Sequence, residues 1–170
     1  MHHAAADPYL PFFVYGTLLP GQPNHYLLAP AVTAVAKARI THCRLYDFGN
    51  YPMLVSDGNN KTAVLGSVCT IDREQFTAVL NRLDQLEGYD PRQPDASPFR
   101  RRRRDVQLGN GTLTSCWVYL GAPEYVRLTP PIPSGSWAAH IARQLEELEK
   151  WWQTVDTVAN LLPKPTDDEK

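Results

Sequence analysis

From Phe12 to Leu120 the chain is cut into short β-rich runs by glycine, proline and asparagine, with one helical stripe among them. This pattern constrains the fold more than any other feature. Short strands separated by close turn signals pair with one another into a sheet, and a single helix is on hand to cover it. Phe12-Phe13-Val14-Tyr15 is an aromatic and β-branched run that ends at Gly16. Ala34 to Phe48 is strand-like until Gly49-Asn50-Tyr51-Pro52, and Met53-Leu54-Val55 precedes Asp57-Gly58-Asn59-Asn60. Ala63 to Ile71 is a further strand, and Arg102 to Leu108 with Leu113 to Leu120 flanks Gly109-Asn110-Gly111 as a hairpin. The pattern gives about six strands.

The inserted helix is the clearest element. Asp72 and Gln75 have the spacing of a capping box, and Phe76, Val79, Leu80 and Leu83 form one apolar stripe. Gly88 is a stop signal, reinforced by Pro91. The proline-rich crossing from Pro123 to Pro133 is unsuited to a central strand. A long helix is expected from near Trp137 to near Leu162, because Ala138, Ile141, Leu145, Leu148, Trp152, Val155, Ala159 and Leu162 alternate three and four apart. Packing on the rest of the same chain is the commoner use of such a seam, and a homodimer contact is the alternative. The tail from Pro163 is charged and is expected to be disordered.

Composition excludes some classes of function. A length of 170 residues suits one domain with an appendage, and a formal net charge of -1 gives no overall attraction to nucleic acid or anionic membrane. The five arginines Arg100 to Arg104 could form a phosphate or RNA patch, but on a strand they alternate faces and read better as a solvated edge. Cys43, Cys69 and Cys116 lack metal or redox spacing and fall in strand-like runs, as small buried hydrophobes do. Unstapled cysteines, no signal core and no apolar run of ~18 residues together predict a cytoplasmic protein. His25, His42 and His140 show no metal-ligand spacing.

Glu87 is the residue whose placement asks for a reason. At the helical period it lies about 20° from both Phe76 and Leu80, inside the apolar stripe. It also falls in the last helical turn, where the macrodipole disfavours negative charge. Burial and dipole act together to raise its pKa, which suits a carboxyl that takes up a proton and returns it. Asp84 lies further round the flank and reads as a surface or helix-supporting carboxylate. The Tyr15-Gly16-Thr17-Leu18 turn could offer backbone amides to a carboxylate or oxyanion, though alone it reads as an ordinary turn.

Taken in order, these pieces resemble the gamma-glutamylcyclotransferase-like family. Phe13 through Leu18 is similar to its opening strand and loop, and Leu45 through Pro52 to its next landmark. Val64-Leu65-Gly66, Leu83 through Tyr89, Trp117-Val118-Tyr119 and Ser134 through Trp137 follow in the family's order. The resemblance implies an α+β fold, a small mixed β-barrel with flanking helices, carried by residues 12–137. Residues 1–11 would be a flexible N-terminus, residues 138–162 the C-terminal helix and residues 163–170 the disordered tail. It also implies formation of 5-oxoproline from a small γ-glutamyl compound, with Glu87 as general acid/base and no metal or organic cofactor. Tyr15, Gly16, Thr17 and Leu18 would bind substrate, together with Tyr119 and one arginine of the run, for which Arg103 fits the count. A non-catalytic binding module on the same fold is the alternative.

Overall fold

The chain was analysed as a computed structural model, which describes residues 8–163. Each β-rich run becomes a strand: β1 (Phe12–Val14), β2 (Val32–Thr41), β3 (Cys43–Asp47), β4 (Pro52–Ser56), β5 (Ala63–Ile71), β6 (Phe99–Leu108) and β7 (Leu113–Gly121). The helical stripe becomes α1 (Phe76–Glu87), and a second helix, α2, covers Trp137–Gln153.

Five strands form a closed mixed barrel in the order β1-β5-β2-β6-β7. Antiparallel pairs make up all of it except the closure, where β1 meets β7 in parallel at Phe12 and Trp117. The remaining two strands, β3 and β4, pair separately from Cys43 opposite Ser56 to Asp47 opposite Pro52. The Ala34 to Phe48 stretch thus divides in two. The break falls at His42, a non-glycine residue with φ +56°, whose carbonyl accepts from the Asp57 amide at 2.7 Å. That left-handed residue turns β3 out of the barrel, and nothing in the local composition announces it.

α1 packs as its stripe predicts. Phe76, Val79, Leu80 and Leu83 are buried in one cluster with Phe12 and Val14 of β1, Cys69 and Ile71 of β5, and Trp117 and Tyr119 of β7. Each of these helix side chains contributes roughly 1.5–3 kcal/mol by leaving water. The expected capping box does not start the helix: the Asp72 carboxylate accepts from the Glu74 and Gln75 amides at 3.0 and 3.3 Å in the turn before α1, and the N-cap residue is Gln75, which makes no side-chain cap bond.

Both termini run beyond the described residues. Met1 to Asp7 of the N-terminal segment lies outside the described residues. Pro8 to Pro11 is held to the barrel: the Trp117 indole donates to the Pro8 carbonyl at 3.0 Å, and the Tyr9 hydroxyl donates to the Ile71 carbonyl. The charged tail from residue 164 likewise lies outside the described residues.

The residues from Ala138 form a compact unit of their own, apart from the unit that ends at Trp137. Within α2, Lys150 pairs with Glu146 at 2.6 Å and Arg143 with Glu147 at 3.7 Å, both at helical spacing. The helix stops at Gln153, short of the expected Leu162. The Thr154 amide and hydroxyl both turn back to the Trp151 carbonyl, and a short 3-10 turn follows at Val158–Leu161. Hydroxyl competition for a backbone carbonyl and the β-branched residues Thr154, Val155 and Thr157 outweigh the apolar periodicity there.

Candidate active site

The strand β1 delivers the Tyr15-Gly16-Thr17-Leu18 turn to one wall of a cavity of about 450 Å³. The Tyr15 phenol anchors it, donating to the buried Tyr119 carbonyl at 2.7 Å. Every carbonyl of the turn proper is then satisfied by the chain downstream. The Gly16 carbonyl accepts from the Leu19 amide at 3.0 Å, and the Thr17 carbonyl from the Asn24 amide at 2.9 Å. The Leu18 carbonyl lies 2.8 Å from His25 Nδ1, which must carry its proton there because a carbonyl can only accept. The amides of Gly16, Thr17 and Leu18 donate to no acceptor among the described residues. Three consecutive donors are therefore on offer in the cavity wall.

Gly16 is required by contact. A Cβ placed there would lie 2.4 Å from Cγ of Pro52, the residue that opens β4. Gly16→Ala is expected to cost about 1–3 kcal/mol through overpacking. Urea denaturation of the purified variant checks it.

Glu87 faces the same cavity from the last position of α1. Gly88, at φ +66°, ends the helix: the Tyr89 amide reaches the Asp84 carbonyl at 2.8 Å and the Gly88 amide reaches Gln85 at 3.2 Å. This left-handed cap fixes the direction in which the Glu87 side chain leaves the helix. Ser97 ties down the next turn by donating its hydroxyl to the Gly88 carbonyl at 2.8 Å. Half-buried at the wall, the Glu87 carboxyl is pushed up to about 7, first by desolvation and then by the neighbouring Asp84 charge.

Asp84 is not the surface carboxylate expected from its phase. It is 7% exposed and accepts from Arg101 Nε at 2.9 Å and from the Tyr119 hydroxyl at 2.7 Å. Arg101 is itself buried, with its guanidinium 4.6 Å from the Trp117 ring centre and 5.4 Å from that of Tyr89. Helical periodicity could not find this pair, because the burial comes from partners on β6 and β7. Tyr119 both lines the cavity and donates to Asp84; burial and the Asp84 charge hold its phenol protonated, far above the usual range.

Arg103, the arginine assigned by counting, is exposed, donates to the Ser115 hydroxyl at 3.3 Å and does not line the cavity. The arginine that enters the interior is Arg101, opposite Tyr119 in the β6–β7 register. The rest of the run is dispersed. Arg100 and Arg102 lie 3.7 and 3.2 Å from Asp95, and β6 pairs with β7 along its length while meeting β2 only near Gln107 and Leu108. The five arginines form no single cationic face.

The structure is thus a closed small barrel with a cavity lined by one carboxyl and by a turn of unpartnered amides. Comparison with known proteins supplies the family. The family model for gamma-glutamyl cyclotransferase, AIG2-like, matches residues 12–139. A Vibrio cholerae protein designated a candidate gamma-glutamylcyclotransferase is 33% identical over 129 residues, covering 76% of this chain and 96% of its own. Among solved structures, YkqA from Bacillus subtilis aligns with a TM-score of 0.58 and 25% identity over 79% of this chain; the chain spans 42% of YkqA. A mouse AIG2-like protein aligns with a TM-score of 0.51 and 25% identity, covering 75% of this chain and 92% of its own. The chain belongs to the gamma-glutamyl cyclotransferase, AIG2-like family.

Proposed function

We propose that this protein cyclises a small γ-glutamyl compound to 5-oxoproline and releases the attached amine or amino acid, with Glu87 as the shared general base and acid. The observation that carries this reading is the Glu87 carboxyl, poised near neutrality in the same cavity as the unpartnered Gly16, Thr17 and Leu18 amides. Ionised Glu87 takes a proton from the substrate's α-ammonium. The freed amine attacks the γ-carbonyl, a new C–N bond closes the five-membered ring, and protonated Glu87 gives its proton to the departing nitrogen as the old C–N bond breaks; the carboxylate so restored takes the surplus proton from the ring nitrogen and passes it to the released amine, which leaves as an ammonium. The turn amides hold the substrate carboxylate or the developing oxyanion. Because nucleophile and carbonyl belong to one molecule, holding the folded conformer supplies much of the acceleration, with effective molarities of ~10⁵ M or more for well-oriented groups.

A panel of γ-glutamyl compounds assayed for 5-oxoproline, with Glu87→Gln as control, tests the reading. Absence of product from every member of the panel would end it. Among the described residues no helix is long and apolar enough to cross a membrane. Cys43, Cys69 and Cys116 are unpaired and buried, which supports a cytoplasmic location as part of the same proposal.

The raised Glu87 pKa also makes a stability prediction. The folded protein holds this proton up to about pH 7, whereas the unfolded chain releases it near the ordinary glutamate value of 4.5. Between those values the native state binds more protons, so stability falls as pH rises, by up to about 3 kcal/mol in total. Glu87→Gln removes this contribution. Urea midpoints at pH 4.5 and pH 8 should therefore differ more in the wild-type protein than in the variant, and identical pH dependence would count against a buried, proton-holding Glu87.

A further inference from the structure

Two carboxylates stand three residues apart at the end of α1, and their surroundings treat them in opposite ways. Asp84 is given three donors: Arg101 Nε at 2.9 Å, Arg101 Nη2 at 3.3 Å and the Tyr119 hydroxyl at 2.7 Å. The Glu87 carboxyl accepts from no donor among the described residues. The groups that face it have their protons committed elsewhere. The Tyr15 phenol, at the end of β1, gives its proton to the Tyr119 carbonyl, and the Tyr119 phenol, on β7, gives its own to Asp84. Tyr51, from the loop before β4, lines the same cavity and is 43% exposed. No lysine, arginine or histidine lines that cavity among the described residues, and the buried Arg101 of β6 is paired with Asp84. The Arg101 guanidinium is itself fixed, lying against the Trp117 and Tyr89 rings.

We propose that Asp84 is a positioning residue for the reaction: held by Arg101 and Tyr119, it carries the negative charge of the pair and so keeps the exchangeable proton on Glu87. Two carboxylates this close in a partly dry site do not both ionise cheaply, and the donors decide which of them does. Arg101 and Tyr119 supply those donors to Asp84 alone. Glu87, left without them, takes the proton and can give it up to a substrate. Asp84 therefore acts through its neighbour and touches no reacting atom. Its place in the reaction rests on the cyclisation reading, whereas the division of charge between the two carboxylates does not.

The test follows the Glu87 proton directly and needs no substrate. Protein labelled with ¹³C at the glutamate side-chain carboxyl is titrated by NMR, and the Glu87 signal is the one missing from Glu87→Gln. In the wild-type protein its midpoint is expected near pH 7. Asp84→Asn/Arg101→Met removes the charge pair together and keeps an acceptor for the Tyr119 hydroxyl; its Glu87 midpoint should fall by about one pH unit. Asp84→Asn/Arg101→Gln, whose two amides can bond to each other, serves in its place if the methionine version does not fold. Arg101→Lys preserves the charge pair and should leave the midpoint near the wild-type value. A purely structural role would lower the urea midpoints of the double variants and leave the Glu87 titration where it was. An unchanged or raised Glu87 midpoint in a folded double variant therefore overturns the proposal. The pH step in kcat for 5-oxoproline release should move with the NMR midpoint. If the midpoint falls as expected but the wild-type protein releases no 5-oxoproline from any γ-glutamyl compound, the cyclisation reading fails and the division of charge stands. If product forms and the midpoint does not move, the cyclisation reading stands and the role given to Asp84 falls.

Discussion

Glu87→Gln is expected to fold as the wild-type protein does and to lose turnover by about 10²–10⁴-fold. The amide is nearly the same size and can still occupy the cavity wall, so packing is kept. What it lacks is a proton that it can accept and return, and both halves of the proposed cyclisation need that exchange. The position of Glu87 separates this loss from a structural one. It is the last residue of α1, its helix end is closed by backbone bonds to Gly88 and Tyr89, and the apolar stripe behind it is buried without its help. The variant should therefore match the wild type in far-UV circular dichroism. Wild-type kcat should climb as pH rises through about 7, where Glu87 ionises, and residual turnover in the variant should lack that step. Near-wild-type turnover in a folded variant would remove Glu87 from the mechanism.

Arg101→Met is the second large effect, and it falls on stability. The substitution leaves the Asp84 carboxylate buried without its ionic partner, a loss of about 3–5 kcal/mol for pairs of this kind. Adding Asp84→Asn should restore a good part of it, because the stranded charge is gone and Asn can still accept from the Tyr119 hydroxyl. Urea denaturation of the two single variants and the double variant gives the coupling directly; strictly additive losses would rule out the pair as a unit. Arg103→Met, two positions along the same strand, should change stability by no more than about 0.5 kcal/mol, since that side chain is exposed. Five arginines in a row thus divide into one internal ion-pair partner and four at or near the surface.

What could be read from the sequence was what local periodicity encodes. The α1 stripe, its glycine stop and Glu87 within the buried phase all follow from spacing over a dozen residues. The β6–β7 hairpin is marked by its own turn residues. Features set by distant partners were not legible. Asp84 looked peripheral because Arg101 and Tyr119, 17 and 35 positions away, are what bury it. The same ignorance assigned Arg103 the role of an inward arginine, since every member of the run is chemically identical. The need for glycine at position 16 could be guessed from the turn, but its cause, the Pro52 ring, is invisible until β4 is in place. His42 broke a strand without glycine or proline, and the seam of α2 ran on past its actual end because hydroxyl competition carries no apolar signature.

The Tyr15 hydroxyl bonded to the Tyr119 carbonyl joins positions 104 residues apart, beside the parallel contact that closes the barrel. The 15–18 turn and the Tyr119 side of the cavity thus come from the two ends of the barrel sequence. During synthesis β7 must leave the ribosome before the Tyr119 side of the cavity can exist, so the 15–18 turn and Glu87 are both made before the cavity can close around them. Loop-closure entropy makes this meeting of ends a costly step, and contacts of such long range slow folding relative to the local helix. The closed cavity is therefore a property of the completed barrel, withheld until its last strand arrives.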